Sequence, residues 1–519
     1  MKKRLLYMLV VLGGIFSGSC ESYLEEVPQN KLKPNTTDDY DQLLNYGYLT
    51  EQVVPYLHSQ NRQDISWHRE AVLPDILSDD VDLIASDHSM EGDDYGDVYV
   101  AAYMWNKDIE TTMPGGDIAF GKFYQSVFYA NVVLENIDQA AGMELNEVNV
   151  ERTRQNIKGE AYALRAYSHF YLVNLYAKPY DPETCATDPG IPLNLSTAAE
   201  DKAYTRNSVK EVYDLIVGDL KEGVRLMEAN PVSKPAKLKF DALSARALLA
   251  RVYLYMQQWD SAIVCAEQVI RENPAIFNLY EAGLRLSMDN NFVSSWNAST
   301  VWGKDYLAKD NDNVLFVNGI SEIVPALGWY HFISTFSVNK KLAAEYEDEP
   351  DDVRRYYFMQ TYSLRGKPKL IYAKNRYIPN ISSVMRPDAG SGYTRVIRTE
   401  EMYLILAEAY AHKENGIGEA VKYLNRLRVE KFREGTYTDL KAADFDQNSL
   451  LVFIEAERRR ELCLEGHRWF DLRRTTRPAM ERIGYENQVA RLEKDDPRYV
   501  LQIPKRELSV NPGIGSNPR

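Results

Sequence analysis

The strongest constraint on this chain is a helical period that recurs along most of its length. Met402, Ile405, Leu406 and Ala409 fall at i, i+3, i+4 and i+7, and Leu243, Ala247, Ala250 and Leu254 trace the same kind of face upstream. Similar amphipathic stretches cover about 119–138, 153–176, 208–228, 259–271, 416–430 and 449–464. A stripe of this width is stable only when buried against another element, and short turns between stretches make neighbouring helices antiparallel. The chain is therefore expected to be mostly α, built from helical hairpins.

Two hairpins look alike. Ala250-Arg251-Val252-Tyr253 is followed by Gln257-Gln258-Trp259-Asp260-Ser261-Ala262, and Ala407-Glu408-Ala409-Tyr410 by Asn415-Gly416-Ile417-Gly418-Glu419-Ala420. Small residues at the close contacts, an aromatic near the helix end and an Ala-rich second helix resemble tetratricopeptide repeats, which bury their faces on one another in arrays of at least three. The segment from Ala161 to Tyr176 is a further candidate helix of the array. The pattern breaks over about 272–398, where Asn, Asp, Gly and Ser separate short runs: Val314-Leu315-Phe316-Val317, Lys369-Leu370-Ile371-Tyr372 and Arg395-Val396-Ile397. These read as brief strands. A second irregular region covers about 21–118. Binding groups are expected in these two regions, on loops carried by the helical-repeat regions at about 119–271 and 399–474.

Residues 1–19 read as a signal peptide. Lys2, Lys3 and Arg4 precede an apolar stretch, Leu5 to Phe16, too short to span a bilayer, and Ser17-Gly18-Ser19 lead into Cys20. A cysteine directly after small residues resembles a lipoprotein lipobox, with Ser17 where the usual pattern has Leu, and marks Cys20 as the lipidation site. Two acyl chains suffice for stable attachment. Glu21, Glu25 and Glu26 resemble the surface-export signal of some Gram-negative lipoproteins. Losing the three basic leader residues shifts the formal charge from −14 to −17, a balance that repels nucleic acid. Cys185, Cys265 and Cys463 are too scattered for a disulfide framework, and Cys265 and Cys463 read as buried thiols in helices. No Gly/Ser- or Pro-rich linker divides residues 20–519, which are expected to form a single domain.

The densest motif is EAERRRELCLEGHRWFDLRR over 455–474. It reads as a helix starting near Ser449, charged on its exposed side and ending at Gly466. Glu457, Arg458, Arg460, Glu461, Arg468, Asp471 and Arg473 are spaced for ion-pair ladders. As a catalytic pair, Glu461 and Asp471 would need separated proton affinities, whereas the surrounding arginines favour both ionised, so a structural network is the better reading. No HExxH or phosphate-loop pattern occurs. Asp79-Asp80-Val81-Asp82 and Asp310-Asn311-Asp312-Asn313 lack the Gly and terminal Glu of an EF-hand loop and read as solvated acidic turns. No catalytic residue, metal site or cofactor is expected.

Several of these phrases together, in order, resemble the SusD/RagB family of nutrient-binding outer-membrane lipoproteins. They are Tyr23-Leu24-Glu25 soon after Cys20, GEAYALRAYSHFYLVNLYAKPY over 159–180, the two Ala/Tyr hairpins, ERRRELCLEGHRWFDLRR over 457–474 and Gln502-Ile503-Pro504 with Asn511-Pro512 near the end. The resemblance implies a SusD-like fold: tetratricopeptide-like hairpins on one side, an irregular ligand-binding side with short strands on the other. It also implies a lipid-anchored protein facing the cell exterior, seated on a SusC-like TonB-dependent barrel transporter, which binds oligosaccharide or polysaccharide and catalyses nothing. The ending Ser516-Asn517-Pro518-Arg519 departs from the family's usual Gln-Asn-Pro-Gly-Tyr. An α/α-barrel glycoside hydrolase or polysaccharide lyase, also helical and aromatic-rich, is the alternative.

A sugar ring offers a C–H face to an aromatic and hydroxyls to polar neighbours. Trp296, Trp302, Trp329 and Tyr330 supply that chemistry within one irregular stretch, and Trp67 lies in the other. Asp79 and Asp80 are the expected polar partners. Trp105, beside Tyr103 and Met104, reads as core, while Trp259 and Trp469 sit where the repeat and the terminal motif use them.

Overall fold

The computed structural model describes residues 34–48, 69–83, 100–107, 109, 119–142, 147–198, 203–232, 237–279, 312–320, 336–364, 367–372 and 393–519. Its frame is a set of packed helices. These are α1 (Thr37–Asn45), α2 (Arg69–Leu77), α3 (Phe120–Asn136), α4 (Glu147–Tyr176), α5 (Val209–Ala229), α6 (Ala242–Tyr255) and α7 (Trp259–Glu272), then the short α8 (Lys340–Ala344) and α9 (Arg354–Phe358). They are followed by α10 (Thr399–Ala411), α11 (Ile417–Arg428), α12 (Gln447–Leu462), α13 (Arg468–Arg474) and α14 (Lys505–Val510). In space α3, α4, α5, α6 and α7 pack in succession, α10 adds itself to α7, and α11 and α12 both pack on α10. The two Ala/Tyr hairpins are thus α6–α7 and α10–α11, adjacent in the array.

Local chemistry explains where the helices begin. Ser208 caps α5 and Asp241 caps α6, each with a reciprocal bond from the third residue on, and Asp446 with Ser449 does the same for α12. Each such cap satisfies backbone N–H groups left over at a helix start. Close crossings are set by missing side chains. At the α4–α5 crossing, a Cβ on Gly223 would lie 2.8 Å from the Gly159 carbonyl oxygen, and one on Gly159 would lie 2.9 Å from the Gly223 oxygen. The α6–α10 contact is pinned by a buried fork in which Arg251 Nε and Nη2 each donate to Glu401 at 2.6 Å. At the joint between the hairpins, Trp259 stacks on His412 with centroids 4.0 Å apart.

The strands are β1 (Val81–Leu83), β2 (Val314–Ile320), β3 (Phe336–Val338), β4 (Met359–Leu364), β5 (Lys367–Tyr372), β6 (Tyr393–Arg398), β7 (Met480–Ile483) and β8 (Val489–Leu492). They form four antiparallel ribbons, β1–β3, β2–β6, β4–β5 and β7–β8. The three expected runs fall within β2, β5 and β6. Phe316 of β2 stacks on Phe240 at 4.0 Å and meets Tyr48 and Tyr167, so this ribbon closes the core over α4 and α6. Trp105 is buried, as expected, its indole N–H donating to the Leu77 carbonyl at 3.0 Å. Cys185, Cys265 and Cys463 are buried free thiols.

The terminal motif differs from expectation in two respects. α12 carries its charges inward: Glu457, Arg458, Arg459, Arg460 and Glu461 are all buried. Three consecutive arginines step about 100° each around a helix and so face three directions. Arg458 reaches Asp471, Arg459 reaches Asp80 and Arg460 reaches Glu457. Most partners lie on other elements, which is why a ladder along an exposed face is not what forms. The helix also stops earlier than expected: α12 ends at Leu462 and Leu464, at φ 58°, takes the left-handed position past its end, while Gly466, at φ 81°, lies further on in the turn that leads to α13.

Candidate functional site

Of the expected ligand residues, Trp67, Trp296, Trp302, Trp329 and Tyr330 lie outside the described residues, as does Cys20. Asp79 and Asp80 are described, in the turn between α2 and β1. Asp80 is fully buried, and its Oδ1 accepts from Arg459 Nε at 2.9 Å. Asp79 accepts from Arg468 Nε at 2.7 Å and Nη2 at 3.1 Å, while Arg459 Nη2 donates to the Asp79 carbonyl at 2.9 Å. Arg459 Nη1 reaches Glu345 at 2.8 Å, just past α8, and Arg468 Nη1 reaches Glu455 at 3.0 Å.

The two aspartates differ electrically although adjacent. Burial works to raise the Asp79 pKa, but the guanidinium groups of Arg459 and Arg468 overcome it and hold the carboxyl at about 2. Asp80 is pushed up by its complete burial, with Arg459 opposing and the Asp79 charge adding to the rise. The expected solvated turn is therefore a half-buried, arginine-bound one, with Asp80 wholly buried and Asp79 partly exposed, because α12 and α13 bring their cations to it. Its mechanical role is plain. Asn339, directly after β3, donates its N–H to the Asp80 carbonyl at 2.8 Å and its Nδ2 to Asp82 at 2.7 Å. Arg459 thus ties the β1–β3 ribbon and the start of the following helix to α12. Residues 84–99 follow β1 in sequence, and Trp329 and Tyr330 come shortly before β3, so the ribbon joins the roots of both irregular regions.

Glu461 and Asp471, the one arrangement that invited a catalytic reading, belong to separate ion clusters. Glu461 accepts from Arg398 Nη1 at 2.7 Å and Arg354 Nη1 at 3.1 Å, with Lys431 Nζ at 3.7 Å. Asp471 accepts from Arg474 Nε at 2.8 Å and Arg458 Nη2 at 3.2 Å; burial acts to raise its pKa, and these two cations hold it below the ordinary value. Glu457 is lowered likewise, Arg354, Arg428 and Arg460 outweighing its burial. Asp471 and Glu457, held below their ordinary values, tie helices together rather than exchange protons near neutral pH. Arg473 bonds to no carboxylate among the described residues: it donates to the carbonyls of Asn174, Ala177 and Tyr499, closing the end of α4, and burial lowers its pKa to about 10. Among the described residues no group of three or more His, Cys, Asp or Glu is placed to hold a metal ion, and no helix is long and apolar enough to cross a membrane.

Sequence reasoning missed Arg459, whose signal was its place in the middle of a run of three arginines. It also missed a surface group of aromatic rings, Tyr46, Phe128 and Tyr129, which carry no motif.

The described residues thus form helical hairpins and antiparallel ribbons fastened together by buried Arg–carboxylate clusters. Residues 22–254 match a family model described as starch-binding associating with outer membrane, and residues 371–519 match the model of the SusD family. The chain belongs to the SusD family. A SusD-like protein of Formosa agariphila, P38, is 23% identical over 437 residues, 76% of this chain and 79% of that protein. The crystal structure of a SusD superfamily protein from Bacteroides vulgatus superposes with a TM-score of 0.69 at 23% identity, covering 93% of this chain and 99% of that one. A laminarin-binding SusD-like protein superposes with a TM-score of 0.59 at 22% identity, over 94% and 100% of the two chains.

Proposed function

We propose that this protein captures oligosaccharide at the cell surface and passes it to a TonB-dependent outer-membrane barrel of the SusC type, without altering it chemically. The observation that carries the proposal is membership of the SusD family through matches at both ends of the chain, one of them to a model described as starch-binding and associating with the outer membrane. Glu461 and Asp471, the carboxylate pair that invited a catalytic reading, bind separate sets of buried cations, which argues against that pair as an acid–base couple. The mature chain acts as one unit, held to the outer membrane by lipid on Cys20 and facing outward. The ligand stacks on Trp296, Trp302, Trp329, Tyr330 and Trp67; Asp80, fully buried on Arg459, holds the ribbon, and the partly exposed Asp79 is the polar partner.

The test is calorimetric titration of the glycan that retards the protein in native affinity gels. An aromatic anchor contributes about 2 kcal/mol or more, so Ala at Trp296, Trp302 or Trp329 weakens binding roughly 30-fold at one position at least. Unchanged affinity in all three variants contradicts the site. Release of new reducing ends or unsaturated products from the glycan contradicts the non-enzymatic role, and failure to recover a β-barrel in mild-detergent pull-downs contradicts the partner.

A further inference from the structure

Two helices of the frame present the same pair of side chains. Gln42 of α1 stands one turn before Tyr46, the residue that caps the end of that helix; on α3, Gln125 stands one turn before Tyr129. The two tyrosine rings meet with centroids 5.9 Å apart, and Phe128 lies 5.9 Å beyond Tyr129. Tyr46 is 63% exposed and Phe128 48%. Core packing does not require this: the buried face of α3 is made by Phe120, Phe123, Val127, Ala130 and Val133. Both glutamines are exposed, Gln42 bonding to Asp38 at 2.7 Å and Gln125 to the Tyr129 hydroxyl at 3.3 Å.

Size separates the possible occupants. At about 200 Å² per ring, the exposed parts of these three side chains amount to roughly 300 Å², against the roughly 800 Å² per partner that a stable protein interface needs. The surround is polar as well, since apart from Phe128 the exposed positions of α3 are Gly121, Lys122, Gln125 and Glu135. A short row of rings edged by amides, which both donate and accept, fits the C–H faces and rim hydroxyls of one or two sugar residues. Asp38 and Asp39 nearby and the overall negative charge disfavour a polyanion.

We propose that Tyr46, Tyr129 and Phe128, with Gln42 and Gln125, form a second, surface-exposed site for neutral glycan, separate from the residues assigned to capture. It rests on the glycan-capture reading above. Its value is bivalency: two weak sites on one chain grip a polymer more tightly than either grips a fragment.

The experiment compares the mature chain, Tyr46→Ala/Tyr129→Ala, and Trp296→Ala/Trp302→Ala/Trp329→Ala, all checked by thermal melts. The probes are laminarin, starch and xylan in native affinity gels, then calorimetry with an oligosaccharide cut from whichever polymer retards the wild type. The tyrosine pair is expected to melt like wild type, to lose polymer affinity by roughly 10-fold or more, and to bind one oligosaccharide where wild type binds two; the tryptophan variant retains the weaker site. Unchanged stoichiometry and polymer affinity in the tyrosine pair overturn this proposal while leaving capture intact. No retardation of the wild type by any polymer overturns capture, and this site with it. Loss of a co-purifying β-barrel from the tyrosine pair, with polymer affinity unchanged, overturns the glycan assignment in favour of a protein contact.

Discussion

Replacing Arg354 by Met tests the reasoning about the buried charges most directly. The Arg354 side chain has no exposure, pairs with Asp352 at 2.6 Å and Glu457 at 2.7 Å, and reaches Glu461 at 3.1 Å. Methionine keeps much of the length and apolar volume but removes the cation. Glu457 retains Arg428 and Arg460, and Glu461 retains Arg398 and Lys431. Asp352 loses the guanidinium that held both its oxygens, so the cost falls chiefly there. Removing one partner of a buried pair costs about 3–5 kcal/mol, and the lower end applies because two of the three carboxylates keep other partners. With an unfolding entropy of about 2.1 cal/mol/K per residue, a chain of this length changes by roughly 1 kcal/mol per degree, so Tm falls by about 3 °C. The pH dependence carries the stronger signature. A stranded, buried Asp352 has a folded pKa above its unfolded value near 3.9, so the folded variant binds more protons and gains relative stability as pH falls. The gap between variant and wild type is therefore widest at pH 7 and narrows toward pH 4. Calorimetric melts at both pH values decide it, and adding Asp352→Leu recovers part of the loss. A Tm drop below about 1 °C at pH 7, or a gap that does not change with pH, refutes the account.

Cys20→Ala is expected to abolish acyl labelling and to release the protein from membranes on fractionation; continued attachment contradicts the anchor. Burial, reinforced by the neighbouring Arg165 charge, lowers the His169 pKa to about 3. Between pH 6.5 and 3 only the unfolded chain takes up this proton, so stability falls with acidification by about 1.36 kcal/mol per pH unit from this residue. By pH 5 that amounts to about 2 kcal/mol, which His169→Leu removes, and parallel stability–pH curves for the two proteins contradict it. Gly223→Ala drives a Cβ against the Gly159 backbone and is expected to cost about 1–3 kcal/mol. Gly218→Ala on the same helix meets nothing within 4 Å and should be neutral or stabilising by up to about 1 kcal/mol; equal melting temperatures for the two contradict the close-crossing argument.

The helices were legible where an apolar period runs long enough to be counted, so α3 to α7 and α10 to α12 lie within a few residues of their expected ranges. β2, β5 and β6 were legible as short apolar runs between turn residues. α1 and α2 were not. α1, started by a capping box of Thr36 and Asp39, has its buried Tyr40 and Leu44 at helical spacing but is only nine residues long, too short for a period to be counted, and α2, with Pro74 inside it, shows no amphipathic face. The burial of the α12 charges was illegible for another reason. Nothing near Glu457 in sequence announces Arg354 or Arg428, and a charged stripe looks the same facing water as facing cations supplied from afar. Asp79 and Asp80 show the same limit: an acidic turn is read as solvated until Arg459 and Arg468 are seen to reach it. The exposed rings of Tyr46 and Phe128 were invisible because a lone aromatic on a helix is normally core.

The clusters that fasten α12 and α13 have a consequence for the conditions the protein tolerates. Dissolved ions weaken charge–charge attraction over a Debye length of about 10 Å at 0.1 M, but act far less on pairs that water does not reach. The pairs of Arg354 and Arg398 with Glu457, Glu461 and Glu465 have no exposure, whereas Lys210–Asp214 and Arg491–Glu481 are half-exposed or more. A change from dilute water to brine therefore loosens the outer pairs and mutes the repulsion an acidic exterior imposes on charged molecules, while the joints beneath the irregular side keep their geometry. Ionic strength tunes what approaches this protein and leaves the frame that receives it unaltered.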